Sequence, residues 1–321
     1  MKILMFGRGV IATVYGWALQ RAGHDVEFFV RPGRAATYGD AVDLDLLDMR
    51  RRQVRGERVV GRWPVRYREA LDPDHGFDLI VLSVPHHRLP DATAFLAPRV
   101  GRATVLVFGN VWTEPRAAIG ALPLDQVAWG APLGGGGFGA DGVLRGMLLR
   151  RVVFGTLDGP PTDRERAVRR AFGEAGLRIT EQPDFRGWLW VHFASDAGLF
   201  SQSLRRGSLS DLAGATGDLR EALLAGRELL PLLEARGVDL RRHRAGALLF
   251  RAPTRLTAPV LAWLTTHAAP ARVSFAAHSD PDAEEPRAVC RDALAEARRW
   301  GVAVPRLEAA EPHFTRESTE R

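Results

Sequence analysis

Lysine is all but missing from this chain. Lys2 is the only one, so 43 of the 44 basic residues are arginine. Any role that calls for a lysine elsewhere in the chain must therefore be filled by another residue type. Cysteine is equally scarce. Cys290 stands alone, which excludes a disulfide within the chain and fits a reducing cytoplasm, the expected location. Its helical surroundings predict packing rather than catalysis. No apolar run approaches the roughly 20 residues that cross a bilayer, and the N-terminus reads as a strand rather than a signal peptide. No membrane partner is expected. The densest basic clusters, Arg50-Arg51-Arg52 and Arg241-Arg242-His243-Arg244, lack the interleaved aromatics of a nucleic-acid platform, so both read as solvated surface and no nucleic-acid partner is expected. Two further ligands at useful spacing are missing around His86 and His87, so no metal site is expected.

What is present belongs to an ordinary globular protein: 46% apolar and 26% charged residues in 321, enough for two domains with cores of their own. The net charge of +6 comes from scattered arginines and offers a modest field to anionic ligands.

The rest of the chain is organised around Met1 to Arg31. Lys2 to Phe6 is a short apolar run that suits a buried parallel strand. Gly7-Arg8-Gly9-Val10-Ile11-Ala12 follows, matching G-x-G-x-x-G/A, and Val10 to Arg21 reads as a helix closed by Gly23. Asp25 to Val30 is a second strand. In such a unit Gly7 permits the tight turn, Gly9 lets backbone approach a pyrophosphate, and Ala12 lets helix pack on sheet. Free N–H groups at the helix N-terminus suit phosphates. A site for the 2′-hydroxyl of NAD wants an acid near the end of the second strand. Here the chain reads Val30-Arg31-Pro32-Gly33-Arg34, so a 2′-phosphate, and hence NADP(H), is the expected cofactor. Glu27 lies too early to be the ribose acid.

Phe77 to Val84 predicts a buried strand, followed by Pro85-His86-His87-Arg88; the histidine pair reads as an exposed loop. Asp91 to Leu96 and Thr113 to Ile119 read as short helices. Ala103 to Phe108 is the next strand, ending in Gly109-Asn110, and Val127 to Pro132 another. No chemistry is read from residues 42–67. Gly134 to Gly137 reads as a flexible loop, Val143 to Arg150 and Val152 to Leu157 as a strand pair, and Thr162 to Ala175 as a helix. Beyond Gln182-Pro183 the periodicity is helical, punctuated by Gly237, Pro253, Pro259 and Pro270. The fold class is α/β: a Rossmann-type doubly wound sheet over residues 1–182, then an all-α domain over 183–321, with Thr315 to Arg321 frayed. In a doubly wound sheet the cofactor lies at the carboxyl ends of the strands. Gly7 to Ala12, Arg31, Val84, Pro85, His86 and Asn110 are therefore assigned to it. Asn110 can bond the nicotinamide amide or a substrate oxygen, or simply shape its turn.

This order of motifs resembles the ketopantoate reductase (2-dehydropantoate 2-reductase) family over nearly the whole chain. It has the glycine loop with Arg31, Asp78 to Val84, Asn110 with Glu114 four residues on, and a helix opening near Trp190. Glu285 comes twenty residues before Pro305 of Gly301-Val302-Ala303-Val304-Pro305. The resemblance implies NADPH-dependent reduction of the ketone of a 2-oxo acid and a C-terminal domain of the 6-phosphogluconate dehydrogenase type. It also implies a homodimer through the helical domain and a substrate-holding role for Glu285. The family's Trp-x-Lys-Leu-x-x-Asn-x-x-x-Asn reads here Trp190-Val191-His192-Phe193-Ala194-Ser195-Asp196-Ala197-Gly198-Leu199-Phe200. His192 stands in the lysine position, and Asp196 and Phe200 in the asparagine positions. Pro85 replaces the lysine after Val84, and the Gln-Asn-Gly turn is Gly109-Asn110-Val111.

His192 and Asp196, four apart, share a helix face, and the carboxylate should favour imidazolium unless burial wins. His192 is then a proton donor to a developing alkoxide; otherwise it packs under Trp188 and Trp190. Glu285 holds a substrate hydroxyl or amine, or belongs to a solvated acidic loop with Asp280, Asp282 and Glu284. The small-molecule substrate is expected to be larger or greasier than ketopantoate because of Phe200. Two other functions keep the fold: a non-redox cyclase or isomerase with His192 as acid, and a regulatory cofactor-binding protein.

Overall fold

The computed structural model describes residues 1–51, 56–277 and 283–315. Arg52, Val54, Asp280, Asp282 and the tail from Arg316 lie outside them. The chain divides into two compact units, Met1–Phe185 and Arg186–Arg321.

Among the described residues the first unit carries strands β1 (Lys2–Phe6), β2 (Asp25–Phe29), β3 (Ala41–Asp48), β4 (Glu57–Pro64), β5 (Tyr67–Arg68) and β6 (Leu79–Leu82). They are followed by β7 (Thr104–Phe108), β8 (Val127–Ala131), β9 (Gly135–Phe138), β10 (Leu144–Leu148), β11 (Arg151–Gly155) and β12 (Arg178–Gln182). Eight form one sheet in the order β12-β11-β8-β7-β6-β1-β2-β5, and four form a second, β4-β3-β10-β9. From β8 through β2 every neighbour is parallel. Parallel strands covered on both faces read as unbroken apolar runs rather than alternations. Accordingly every residue of β6, β7 and β8 is buried. The first unit is a Rossmann-like fold.

Helix α1 (Val10–Arg21) lies on this sheet, and its closest approach is one turn beyond Ala12. A Cβ on Gly16 would meet Phe28 Cζ at 2.8 Å and Met5 Cγ at 3.2 Å, so Gly16 sets the helix–sheet spacing. Next to it Tyr15 is fully buried, edge-on to Phe108, and its hydroxyl oxygen accepts the Leu133 N–H at 3.1 Å. Burial pushes this phenol far above its usual range, so it stays neutral. The remaining helices of the unit are α2 (Arg34–Tyr38), α3 (Leu89–Leu96), α4 (Pro115–Ala118) and α5 (Asp163–Glu174). Helix α5 opens on a capping box, Thr162 and Glu165 satisfying each other's backbone N–H, typically worth ~1 kcal/mol.

Four expectations are corrected. The strands on either side of Leu149-Arg150 do not pair: β10 joins β3 and β9, while β11 joins β8 and β12. Leu149-Arg150 offers no residue suited to the left-handed backbone of a two-residue hairpin. The glycines at 134–137 are not a loop, because Gly135–Phe138 is strand β9. Their lack of side chains permits a close crossing: a Cβ on Gly136 would sit 2.3 Å from Arg145 O, and one on Gly146 2.4 Å from Gly135 O. Nor is Arg50 solvated. It pairs with Asp48 at 2.7 Å and lies over the Trp17 ring. Arg241 and Arg242 are exposed as expected, but His243 between them and Arg244 is buried.

The second unit is helical: α6 (Phe185–Arg206, beginning at the last residue of the first unit), α7 (Thr216–Glu228), α8 (Leu230–Ala235), α9 (Arg244–Arg251), α10 (Thr254–His267), α11 (Ala269–Ala277), α12 (Glu284–Arg299) and α13 (Pro305–Phe314). No helix among the described residues is long and apolar enough to cross a membrane. Helices α6 and α7 touch backbone to backbone, since a Cβ on Gly198 would stand 2.7 Å from both Ala222 O and Gly226 N. Gly198→Ala must push them apart, a cost of ~1–3 kcal/mol. A lowered urea midpoint is the expected result; an unchanged midpoint would show that the crossing tolerates a methyl group.

Candidate functional site

The carboxyl ends of β1, β6 and β7 lie side by side, because these strands are consecutive in the sheet. They carry the glycine loop, Val84-Pro85-His86 and Gly109-Asn110 respectively. Gly7 adopts φ 97°, a left-handed backbone that costs any other residue about 1–2 kcal/mol. Its N–H donates to Phe29 O at 2.9 Å, which ties the loop to the end of β2. Gly9 is the N-cap of α1, whose first turn holds no acidic residue. A Cβ placed on Gly7 or Gly9 meets no atom within 4 Å, so the space over the loop is open. Open space, free N–H groups at a twelve-residue helix and no repelling acid fit the pyrophosphate of a dinucleotide.

At the neighbouring strand ends, a Cβ on Gly109 would lie 3.6 Å from Val84 O, so the two turns abut. Asn110 is half-buried beside them. The histidine pair is not an exposed loop. It forms a 3-10 turn (His86–Arg88) with His86 only 9% exposed and the two rings edge-on, because the turn folds straight into α3. Sequence reasoning passed over Ser83, whose Oγ is buried with no hydrogen-bond partner among the described residues. Its signal was a hydroxyl ending an apolar strand at the functional edge of the sheet.

Arg31 is exposed in the turn between β2 and α2. Glu27 is occupied by Arg68, whose Nε donates to its carboxylate at 3.1 Å. A different carboxylate reaches the turn. Glu69, just past β5, accepts the Ala35 N–H at 2.7 Å. Ala35 first, then the Gly33 N–H, hold its carboxyl below the usual carboxylate range. Arg8 is the other feature the sequence did not reveal. Its Nε donates to Tyr67 Oη at 2.9 Å, and its guanidinium lies over the Tyr38 ring at 4.6 Å and the Phe138 ring at 4.5 Å.

In the second unit His192 Nε2 stands 3.7 Å from Asp196 Oδ2, an ion-pair distance longer than a direct hydrogen bond. His192 is no core histidine. Its side chain is 38% exposed and stacks on Trp188, rings 5.2 Å apart and 14° from parallel. Trp190 faces the other way, buried beneath the guanidinium groups of Arg236 and Arg186. Helix α12 packs on α6 beside this pair, Cys290 Sγ lying 3.7 Å from Ala197 O. Cys290 is wholly buried and burial pushes its thiol up, which removes it from nucleophilic chemistry. Glu285 sits in the first turn of α12, half-buried. Among the described residues no cluster of His, Cys, Asp and Glu could hold a metal ion.

Residues 3–159 match the family model for ketopantoate reductase PanE/ApbA. Over these residues, just under half of the chain, the first unit is similar to the ketopantoate reductase family. Solved structures extend the likeness in fold to the whole chain. The 2-dehydropantoate 2-reductase of Geobacter metallireducens GS-15 aligns with TM-score 0.70 at 16% identity, covering 98% of this chain and 99% of that one. That of Methylococcus capsulatus gives 0.60 at 18%, covering 99% of each. D-mandelate dehydrogenase in complex with NADH gives 0.68 at 13%, covering 98% of this chain and 97% of that one. No curated protein sequence matches the chain. The ketopantoate reductase fold, a Rossmann-like unit with a helical C-terminal region, thus accounts for both units.

Proposed function

We propose that the protein is an NADP(H)-dependent reductase of a small carbonyl or imine substrate other than ketopantoate. The observation that carries this reading is the glycine loop: open above, fronted by uncapped helix N–H groups, and joined by the Gly7–Phe29 bond to a corner that bears arginines. The dinucleotide, when bound, supplies the hydride. Gly7, Gly9 and the N–H groups of Val10, Ile11 and Ala12 hold its pyrophosphate, and Arg31 favours the 2′-phosphate over a bare ribose. Val84, Pro85, His86 and Asn110 flank the cofactor, with Asn110 bonding an amide or substrate oxygen.

His192 gives its proton to the carbonyl oxygen as negative charge develops there. Asp196 places a carboxylate 3.7 Å from Nε2, and Trp188 stacks on the ring. Glu285 anchors a polar group of the substrate, and Phe200 makes the pocket more apolar than ketopantoate requires.

The test is consumption of NADPH, followed by its absorbance, with a panel of 2-oxo acids, aldehydes and imines. NADH run in parallel is expected to be the poorer donor. A protein that binds NADPH but oxidises it with no member of the panel would count against a reductase and for a non-redox reaction at the His192–Asp196 pair. Equal use of the two nucleotides would remove the 2′-phosphate assignment.

A further inference from the structure

We infer that Arg8, rather than Arg31, is the principal reader of the cofactor's 2′-phosphate, a refinement that rests on the nicotinamide reading above. In a Rossmann-type unit the adenosine ribose lies at the end of the second strand. Arg8 is placed there: the preceding Gly7 is bonded to Phe29 O, and Tyr67, which holds Arg8 Nε, lies on β5, paired with the end of β2.

The backbone of the β2–α2 turn is not free to take a phosphate. Glu69 already accepts the Ala35 N–H at 2.7 Å, and the Arg34 N–H is turned back onto Arg31 O at 3.1 Å. Recognition there falls to side chains, and the corner offers Arg8, Arg31 and Arg34. Arg31 and Arg34 are exposed, and neither side chain has a hydrogen-bond or ion-pair partner among the described residues. Fixing such a side chain on a ligand costs rotamer entropy.

Arg8 is ordered in advance. Tyr38 and Phe138 cover its guanidinium and Tyr67 holds Nε, while Nη1 and Nη2 have no partner among the described residues. That pair of nitrogens is the edge that meets a phosphate with two parallel hydrogen bonds. Arg8 lines a cleft of about 360 Å³ together with Thr37, Tyr38, Asp43, Phe138 and Asp141. Asp141 offers little repulsion, because Arg145 bonds both its oxygens, at 2.8 and 2.7 Å, and holds its carboxyl well below the usual range. Arg62, which lines the same cleft and faces Asp43 in the β3–β4 register, adds a second positive charge to it.

The experiment measures dissociation constants for NADPH, NADH and 2′,5′-ADP, a probe that lacks the nicotinamide half, by fluorescence or calorimetry. It compares the wild-type chain with Arg8→Met, Arg8→Lys, Tyr67→Phe and Arg31→Ala. Arg8→Met should weaken NADPH and 2′,5′-ADP by roughly ten- to a hundredfold, the scale of charged hydrogen bonds. NADH should change by no more than about threefold. Arg8→Lys, which keeps the charge but not the fork, should recover only part of the loss, and is the fallback should Arg8→Met fold poorly. Tyr67→Phe should loosen 2′,5′-ADP selectively by a smaller factor, and Arg31→Ala should lose less than Arg8→Met.

Equal losses of NADPH and NADH in the Arg8 variants, or a larger effect of Arg31→Ala, would overturn the assignment while leaving nicotinamide binding intact. A wild-type chain that binds neither nucleotide would overturn the functional reading itself, and this inference with it.

Discussion

Replacing His192 by asparagine is expected to lower turnover by ~10²–10⁴-fold, the usual worth of a positioned proton donor, while NADPH affinity stays nearly unchanged. The substitution keeps polarity and approximate volume but removes the proton. Structural loss should be slight, because the ring is partly exposed and stacks on Trp188 at the surface of its helix. Cofactor affinity should hold because the proposed phosphate and ribose contacts all lie in the first unit. Asp196→Asn removes the carboxylate 3.7 Å from the ring and should lower turnover by less than His192→Asn, again with NADPH affinity nearly unchanged. Full turnover in His192→Asn would end the proton-donor assignment and turn attention to Glu285 or to water.

Ketopantoate itself should be turned over negligibly, below the ~1 s⁻¹ that marks the lower end of ordinary enzymes. With Lys2 the sole lysine, no second one is available to bind the substrate carbonyl. Pro85 offers neither charge nor N–H where the family resemblance calls for a lysine. Asp196 brings negative charge to an asparagine position, unfavourable for a substrate that is itself a carboxylate, and Phe200 brings a ring to another. A steady-state assay with ketopantoate and saturating NADPH decides the matter. Turnover in the ordinary enzyme range would mean that these four replacements leave the reaction intact.

Much of the fold was legible because its signals are local. Gly7 and Gly23 must adopt left-handed backbone, and both sit where the chain must turn, at φ 97° and 92°. The apolar runs at β6, β7 and β8 could only be strands buried on both faces. The helical spacing of His192 and Asp196 predicted a shared helix face, and the two side chains do share one, 3.7 Å apart. The second sheet was not legible. Its strands β3 and β10 are parallel partners roughly a hundred residues apart in the sequence, and no short-range pattern encodes such a choice. The run Leu144 to Gly155 was apolar enough for two strands, but which sheet each would join depended on edges supplied by distant segments.

The candidate site divides the same way. By itself the sequence determined the glycine loop, the arginine ending the second strand and the substitutions around His192, because each is a residue type at a fixed spacing from a turn or along a helix. Only the tertiary structure decided what Arg8 and Glu69 do. Tyr38, Tyr67 and Phe138 come from a short helix and from strands of two different sheets, and they meet at Arg8 only once those sheets are packed. Glu69 reaches the turn after β2 because β5 pairs beside that strand. Hydrogen bonds and ring contacts act over a few ångströms, so they depend on where folding brings residues in space, a quantity that separation along the chain does not specify.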